Sequence, residues 1–293
     1  MKKTLFLVLI FSTSIAFCQS ISEQAVSYLN SGRIDRAKSI LNEQVDKNSQ
    51  DLKVFELLGD IASFEKDWDK AISFYKKLIV TKPENAGFNL KYGGALGMKA
   101  LSVSRFQAVV LIPDIKKYLE LAATQDKTQI ESRRALVELY IKLPGILGGS
   151  DEKALKYANE LKNLSPVNAY LAKGFIIKEN EDIDDALIYY KSAFNKYRST
   201  NGNLDSNSLN YELGKVAAEF NLESQYGLKL LDTYVKNYSY KDIYSMEWVY
   251  LRKAQISANL KNKREALAYI DKALTLKANF KEALTEKQRI QEL

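Results

Sequence analysis

The chain has 293 residues, 46% hydrophobic and 27% charged, with four prolines and thirteen glycines, which excludes a disordered or collagen-like polymer and supplies the apolar side chains of an extensive core. It contains no histidine and one cysteine, so imidazole acid/base chemistry, His-ligated or four-cysteine zinc and an intrachain disulfide are all excluded. The formal charge of +7 is scattered in pairs such as Lys76-Lys77, Lys116-Lys117 and Arg133-Arg134, with one short cluster at Lys261, Lys263 and Arg264; nucleic-acid binders gather charge in one patch or stripe, so no nucleic-acid partner is expected.

The first element is not part of the fold. Met1-Lys2-Lys3 is basic, Leu5 to Phe11 is a continuous apolar run, and Ala16-Phe17-Cys18 ends it with small residues at its first and third places, the layout of a signal peptide over residues 1–18. The run falls short of the ~20 residues that span a bilayer, and no later stretch reaches that length. The expected mature chain is exported, periplasmic or secreted, starts at Gln19 and lacks cysteine, in keeping with an oxidising compartment. The competing reading keeps Cys18 as an acylated anchor, against which bulky Phe17 speaks. Without Lys2 and Lys3 the balance is 41 basic to 36 acidic residues, about +5.

Downstream, apolar and small residues recur with a fixed period. Between Leu52 and Pro83 the chain places Phe55, Leu58-Gly59 and Ala62, a turn at Lys66 to Asp69, then Ala71, Tyr75 and Leu78. These offsets predict two amphipathic helices in antiparallel contact, small residues permitting close approach and large ones filling the gaps. One period of 34 residues upstream, Ala37 and Leu41 stand where Ala71 and Tyr75 do, with Gly32 in the turn. The pattern resembles the tetratricopeptide repeat, a helical hairpin of that period, with Pro83 in the closing position.

The remaining units follow in near register. Tyr92-Gly93 and Leu96 open a third, which continues through Met98 to Val110 without the usual turn; Pro113 is expected in the first turn of the next helix. The fourth carries Leu136, Val137 and Tyr140, then Ala154, Ala158, Leu161 and Pro166, with Pro144, Gly145, Gly148 and Gly149 inserted in its hairpin turn. Gly174, Ala186 and Tyr190 mark the fifth, Leu213-Gly214 and Leu231 the sixth, Ala254, Ala266 and Ile270 the seventh, and a polar loop at 199–208 separates the fifth from the sixth. The expected domain is therefore 19–293, with units at about 21–50, 52–84, 86–126, 130–166, 167–200, 207–241 and 247–278 and a capping helix at 279–293. The resemblance implies an all-α fold, a right-handed α-solenoid whose first helices line a concave groove.

By the same resemblance, groove positions are the second, fifth, ninth, twelfth and thirteenth of each unit. They map to Lys53, Glu56, Asp60 and Phe64; to Leu90, Gly94 and Met98; to Glu131, Arg134, Glu138 and Lys142; to Leu171, Phe175 and Lys178; to Tyr211 and Lys215; and to Trp248, Leu251 and Gln255. The Lys and Asn clamp with which the cytosolic chaperone-tail binders of this family hold a carboxylate is replaced by Ser22, Val26, Glu56 and Asp60. Phe175, Tyr211 and Trp248 recur at equivalent places with Lys178 and Lys215 beside them, so one continuous anchoring stripe is expected in the carboxy-terminal half. The competing reading packs Tyr211 and Trp248 between units.

No catalytic residue, metal site or cofactor is expected. The inserted turn lacks the Gly-Lys-Ser/Thr ending of a phosphate loop and runs into Asp151-Glu152, so Pro144, Gly145, Gly148 and Gly149 serve turn geometry, with Ser150 or Asp151 capping the next helix, or a contact with a partner at the rim. Asp182, Asp184 and Asp185, like Asp67 and Asp69, fall in hairpin turns without calcium-loop spacing. Glu131 and Glu138 lie seven residues apart on one helix face, ~10 Å, a charged wall rather than a glycosidase pair. What remains is a non-enzymatic scaffold or adaptor of the bacterial envelope that binds a peptide or helix of another envelope or secreted protein; the alternative is a glycan-binding module stacking sugars on the aromatic half of the groove.

Overall fold

A computed structural model describes residues 20–47, 50–200 and 206–293; the expected signal segment and residues 201–205 of the expected polar loop lie outside them. Among the described residues the chain forms fifteen α-helices and no strand. They pair in order as hairpins: α1 (Ile21–Asn30) with α2 (Ile34–Asp46), α3 (Leu52–Phe64) with α4 (Trp68–Thr81), α5 (Ala86–Ser102) with α6 (Arg105–Gln125) and α7 (Ile130–Lys142) with α8 (Asp151–Leu164). α9 (Pro166–Glu179) pairs with α10 (Ile183–Ser199), α11 (Ser208–Phe220) with α12 (Ser224–Lys236) and α13 (Met246–Asn259) with α14 (Lys263–Leu276), and α15 (Lys281–Gln291) follows.

Polar residues start many of these helices, where their side chains can satisfy the free amides of a first turn. Ser20 with Glu23 and Ser104 with Gln107 form capping boxes on α1 and α6, while Asp51, Asp67, Asn85, Ser150 and Asp182 each accept an amide of the helix they precede. Ser165 ends α8 and caps α9, and Pro166 takes the first position of α9, where its missing amide costs nothing.

Within a hairpin, packing depends on the small residues that the periodicity marks. A Cβ at Gly59 would lie 2.3 Å from the Tyr75 ring, and one at Gly174 2.5 Å from the Tyr190 ring, so the first helix of each of these units has a notch into which the tyrosine of the second presses. Alanines close the same seams: Ala37, Ala71, Ala154, Ala186 and Ala266 have no exposed surface. At the carboxy-terminal end α15 lays Ala283 and Ile290 over α13 and α14, and Phe280 is 1% exposed ahead of it. This is the covering layer that a stack of repeats needs at its last apolar face.

The third unit departs from expectation. α5 ends at Ser102 and α6 starts at Arg105, so a turn is present, and Pro113 sits in the interior of the twenty-one-residue α6 instead of its first turn. The Ser104 cap starts the helix two turns early. Pro113 is tolerated because it and Val109, four residues before it, face solvent, where water can satisfy the carbonyl that the ring leaves without a partner. The lengthened hairpin exposes Leu101, Phe106 and Val110, each more than three-quarters accessible.

Candidate functional site

The first helices of the hairpins line the concave face, and the structure groups the expected groove residues into three sets. In the middle of the face, Phe175 on α9 lies partly open beside two neighbouring ammonium groups, Lys142 Nζ at 5.4 Å and Lys178 Nζ at 5.6 Å from its ring centre. Glu179 ties both lysines down at 2.7 and 2.8 Å, and the two cations hold its carboxyl below the usual range against the effect of burial.

The second set crosses the groove. Arg134 on α7 donates to Glu212 on α11 at 2.5 Å, and the Tyr244 hydroxyl donates to the same carboxylate. Burial opposes the charge of Glu212, but Arg134 and Lys215 overcome it and lower the carboxyl below its ordinary value. Glu138, one turn along α7, goes the other way: its side chain reaches solvent, yet desolvation by the protein around it and then the neighbouring Glu212 charge push its carboxyl up.

The third set closes the ends of the array. The nine residues between α12 and α13 turn inward, and Tyr240 is buried in the apolar cluster of α1, α2 and α3 that contains Leu29, Leu57 and Ile61. Tyr238 meets Phe64 with ring centres 6.0 Å apart. Lys66, in the α3–α4 turn, donates to Ser245 Oγ at 2.9 Å and to Glu247 at 2.7 Å.

These contacts correct the expected stripe of Phe175, Tyr211 and Trp248. Tyr211 is 2% exposed, stacked under Tyr244 with ring centres 3.9 Å apart and flanked by Tyr234; burial pushes its hydroxyl up to about 12. Trp248 packs edge-on against Phe280, 4.7 Å away, and so serves the end cap. Phe64, which the sequence places in the groove, is partly exposed there and meets Tyr238. Tyr238, Tyr240 and Tyr244, whose crowding in the sequence reads as packing rather than a ligand cage, do pack, and what the sequence did not show is the distant partners they meet. Their signal was connector length: most other links between hairpins within the described residues have five residues or fewer, and this one has nine, three of them tyrosines.

The inserted turn of the fourth unit is a short 3-10 segment, Gly145–Leu147, following Pro144. Gly148 has φ +83°, and a Cβ on Gly149 would lie 1.8 Å from the Leu143 carbonyl oxygen, so both positions need glycine for the backbone path itself. Ser150 caps α8 by accepting from the Lys153 amide. Lys116 of α6 reaches toward the Gly148 carbonyl, and Ile146 at the tip is 94% exposed. Among the described residues no three His, Cys, Asp or Glu side chains converge on a metal-sized site, and no helix is long and apolar enough to cross a membrane.

Comparison with known proteins agrees with this architecture. Residues 249–280, the α13–α14 hairpin, match the family model of the tetratricopeptide repeat. No curated protein matches the chain. Among solved structures it is similar to a tetratricopeptide repeat protein from Parabacteroides merdae, with TM-score 0.55 and 11% identity over 92% of this chain and 97% of that one. It is also similar to the APC/C hetero-tetramer Cut9–Hcn1, with TM-score 0.54 and 17% identity over 92% of this chain and 48% of that one. Both likenesses speak to the fold. Seven hairpins stacked in order, with a family match on the last of them, give the chain the α-solenoid fold of tetratricopeptide-repeat proteins.

Proposed function

We propose that this protein is a non-enzymatic scaffold that binds a segment of another protein along its concave face, and that it does so in the bacterial cell envelope after export. The observation that carries the binding site is the partly open ring of Phe175 with the Lys142–Glu179–Lys178 cluster beside it in the middle of the groove. A partly open aromatic ring beside two lysines that share one carboxylate, and so keep one net positive charge, suits an extended segment that offers an apolar side chain beside a carboxylate. Arrays of this fold generally serve as interaction scaffolds, and the sequence has neither histidine nor a cysteine outside its first eighteen residues to suggest other chemistry. The export half of the proposal rests on Lys2-Lys3, the Leu5 to Phe11 run and Ala16-Phe17-Cys18. The sugar-stacking alternative relied on Tyr211 and Trp248, which are engaged with Tyr244 and Phe280.

A photo-reactive phenylalanine analogue at Phe175, compared with one at Leu155 on the outer helix α8, tests the site in intact cells. A partner cross-linked from Phe175 and absent from Leu155 is the expected result. The reverse pattern, or saturable heat with envelope oligosaccharides and no protein adduct, overturns it. Intact mass of the mature protein tests export: a chain starting at Gln19 is expected, and a diacylated Cys18 would replace the soluble form with a membrane anchor.

A further inference from the structure

We propose that the apolar socket on α1 and α3 is a binding site for a tyrosine carried on a turn of a partner protein, and that in this chain its own α12–α13 connector occupies the site in place of that partner. The inference rests on the reading of the concave face as the partner surface.

The occupant itself defines the chemistry of the site. Tyr240, 7% exposed, joins the cluster of Leu29, Val54, Leu57 and Ile61, residues of the first two hairpins. Around the mouth stand Glu56 and Asp60, bridged by Lys91 at 2.9 and 2.5 Å. Burial, and then the charges of Asp60 and Glu56, push the Tyr240 hydroxyl up, which places the phenol within the field of that rim. The site therefore takes an apolar ring with a neutral hydroxyl at its edge, and Phe64 beside it receives a second aromatic two residues earlier, Tyr238.

The connector is built to hold its shape without the socket. The Ser239 amide donates to Asp242 Oδ2 at 2.8 Å, the Asp242 amide to the Ser239 carbonyl at 3.1 Å, and Asn207 to Asp242 Oδ1 at 3.1 Å. These anchors belong to the connector and to the residue preceding α11. The seam with the first two hairpins consists of Tyr240, the Tyr238–Phe64 contact and the Lys66 bonds, and Lys66 is half-exposed, so solvent screens much of its attraction. In a repeat array each hairpin draws its core from its neighbours, so withdrawal of the connector uncovers the apolar cluster around Leu29, Leu57 and Ile61 but keeps the seams between neighbouring hairpins. A tethered occupant acts at an effective concentration in the millimolar range. It therefore suppresses binding of a competing segment until that segment binds more tightly or the tether is weakened.

A labelled peptide of residues 236–246 serves as the probe, titrated against the full-length wild type and against Tyr240→Ala. The variant is expected to bind it at least tenfold more tightly than wild type does, and a peptide with the residue-240 tyrosine replaced by alanine is expected not to bind. Spin labels at Glu65→Cys and Ile243→Cys, in a Cys18→Ser background, are expected to move apart in Tyr240→Ala with helicity unchanged. Should Tyr240→Ala fold poorly, Lys66→Ala with Tyr238→Ala loosens the same seam from its exposed side and is expected to raise peptide affinity in the same direction. Equal affinity for wild type and variants, or an unchanged label distance, overturns the proposal. So does a dimer in which the connector of a second copy fills the socket, seen as doubled mass in light scattering. The two readings separate cleanly: loss of peptide binding with Phe175 cross-links intact refutes the socket alone, and loss of those cross-links with peptide binding intact refutes the wider groove reading.

Discussion

Replacing Arg134 with methionine tests whether the groove is bridged across its width. Arg134 and Glu212 lie 78 positions apart, with side chains 17% and 11% exposed, and their bond spans from α7 to α11. Methionine keeps most of the apolar stem and removes the guanidinium. Glu212 is then left in a confined site with the Tyr244 hydroxyl and with Lys215 as the remaining cation. Breaking a fully buried pair costs about 3–5 kcal/mol; residual solvent and Lys215 reduce that here to about 2–3 kcal/mol. At ~2–4 °C per kcal/mol for a chain of this size, Arg134→Met should melt roughly 5–10 °C below wild type. The double variant Arg134→Met/Glu212→Gln, in which the amide still accepts from Tyr244, should recover most of the loss, because the isolated charge is what destabilises. Thermal melts by circular dichroism, with hydrogen exchange on α7 and α11 to localise the loss, measure both. A shift under 2 °C for the single variant, or a double variant as unstable as the two single losses added together, would refute the reasoning.

The same cluster sets a pH dependence of opposite signs. Glu212 has a folded pKa below its unfolded value, so its contribution is present above the ordinary carboxylate range and is lost as pH falls through the lowered value; Glu138 has a raised folded pKa, so its ionisation destabilises the fold as pH rises through that value. Glu138→Gln should therefore stabilise at neutral pH, by under about 1 kcal/mol because the side chain reaches solvent, and the gain should vanish below pH ~4 in a series of urea titrations. Tyr211→Ala removes a buried ring stacked against Tyr244 and should cost about 3–5 kcal/mol, visible as a large drop in melting temperature; an unchanged melt would return Tyr211 to the open groove. Deleting Phe280 to Leu293 uncovers Trp248 and the α13–α14 face and should lower solubility more than helicity, whereas a soluble and equally stable truncation would mean that α15 covers nothing essential.

The hairpins were legible because the contacts that build them repeat. Gly59 meets Tyr75 and Gly174 meets Tyr190 at the same spacing of sixteen, and the polar caps and alanine seams recur with them, so a linear pattern carries the whole neighbour-to-neighbour core. The glycine turn at 145–149 was equally legible, since a positive φ and a backbone passing within a Cβ radius are requirements of local geometry. Arg134 with Glu212, Tyr240 with the first two hairpins and Lys66 with Glu247 follow no period. They meet because small rotations between successive hairpins add up until distant units face each other across the groove, and that sum depends on every intervening seam. Sequence by itself therefore determined the stack, its caps and its order, while tertiary structure alone decided that Tyr211 is core and that the chain's own tyrosines fill the amino-terminal end of the groove.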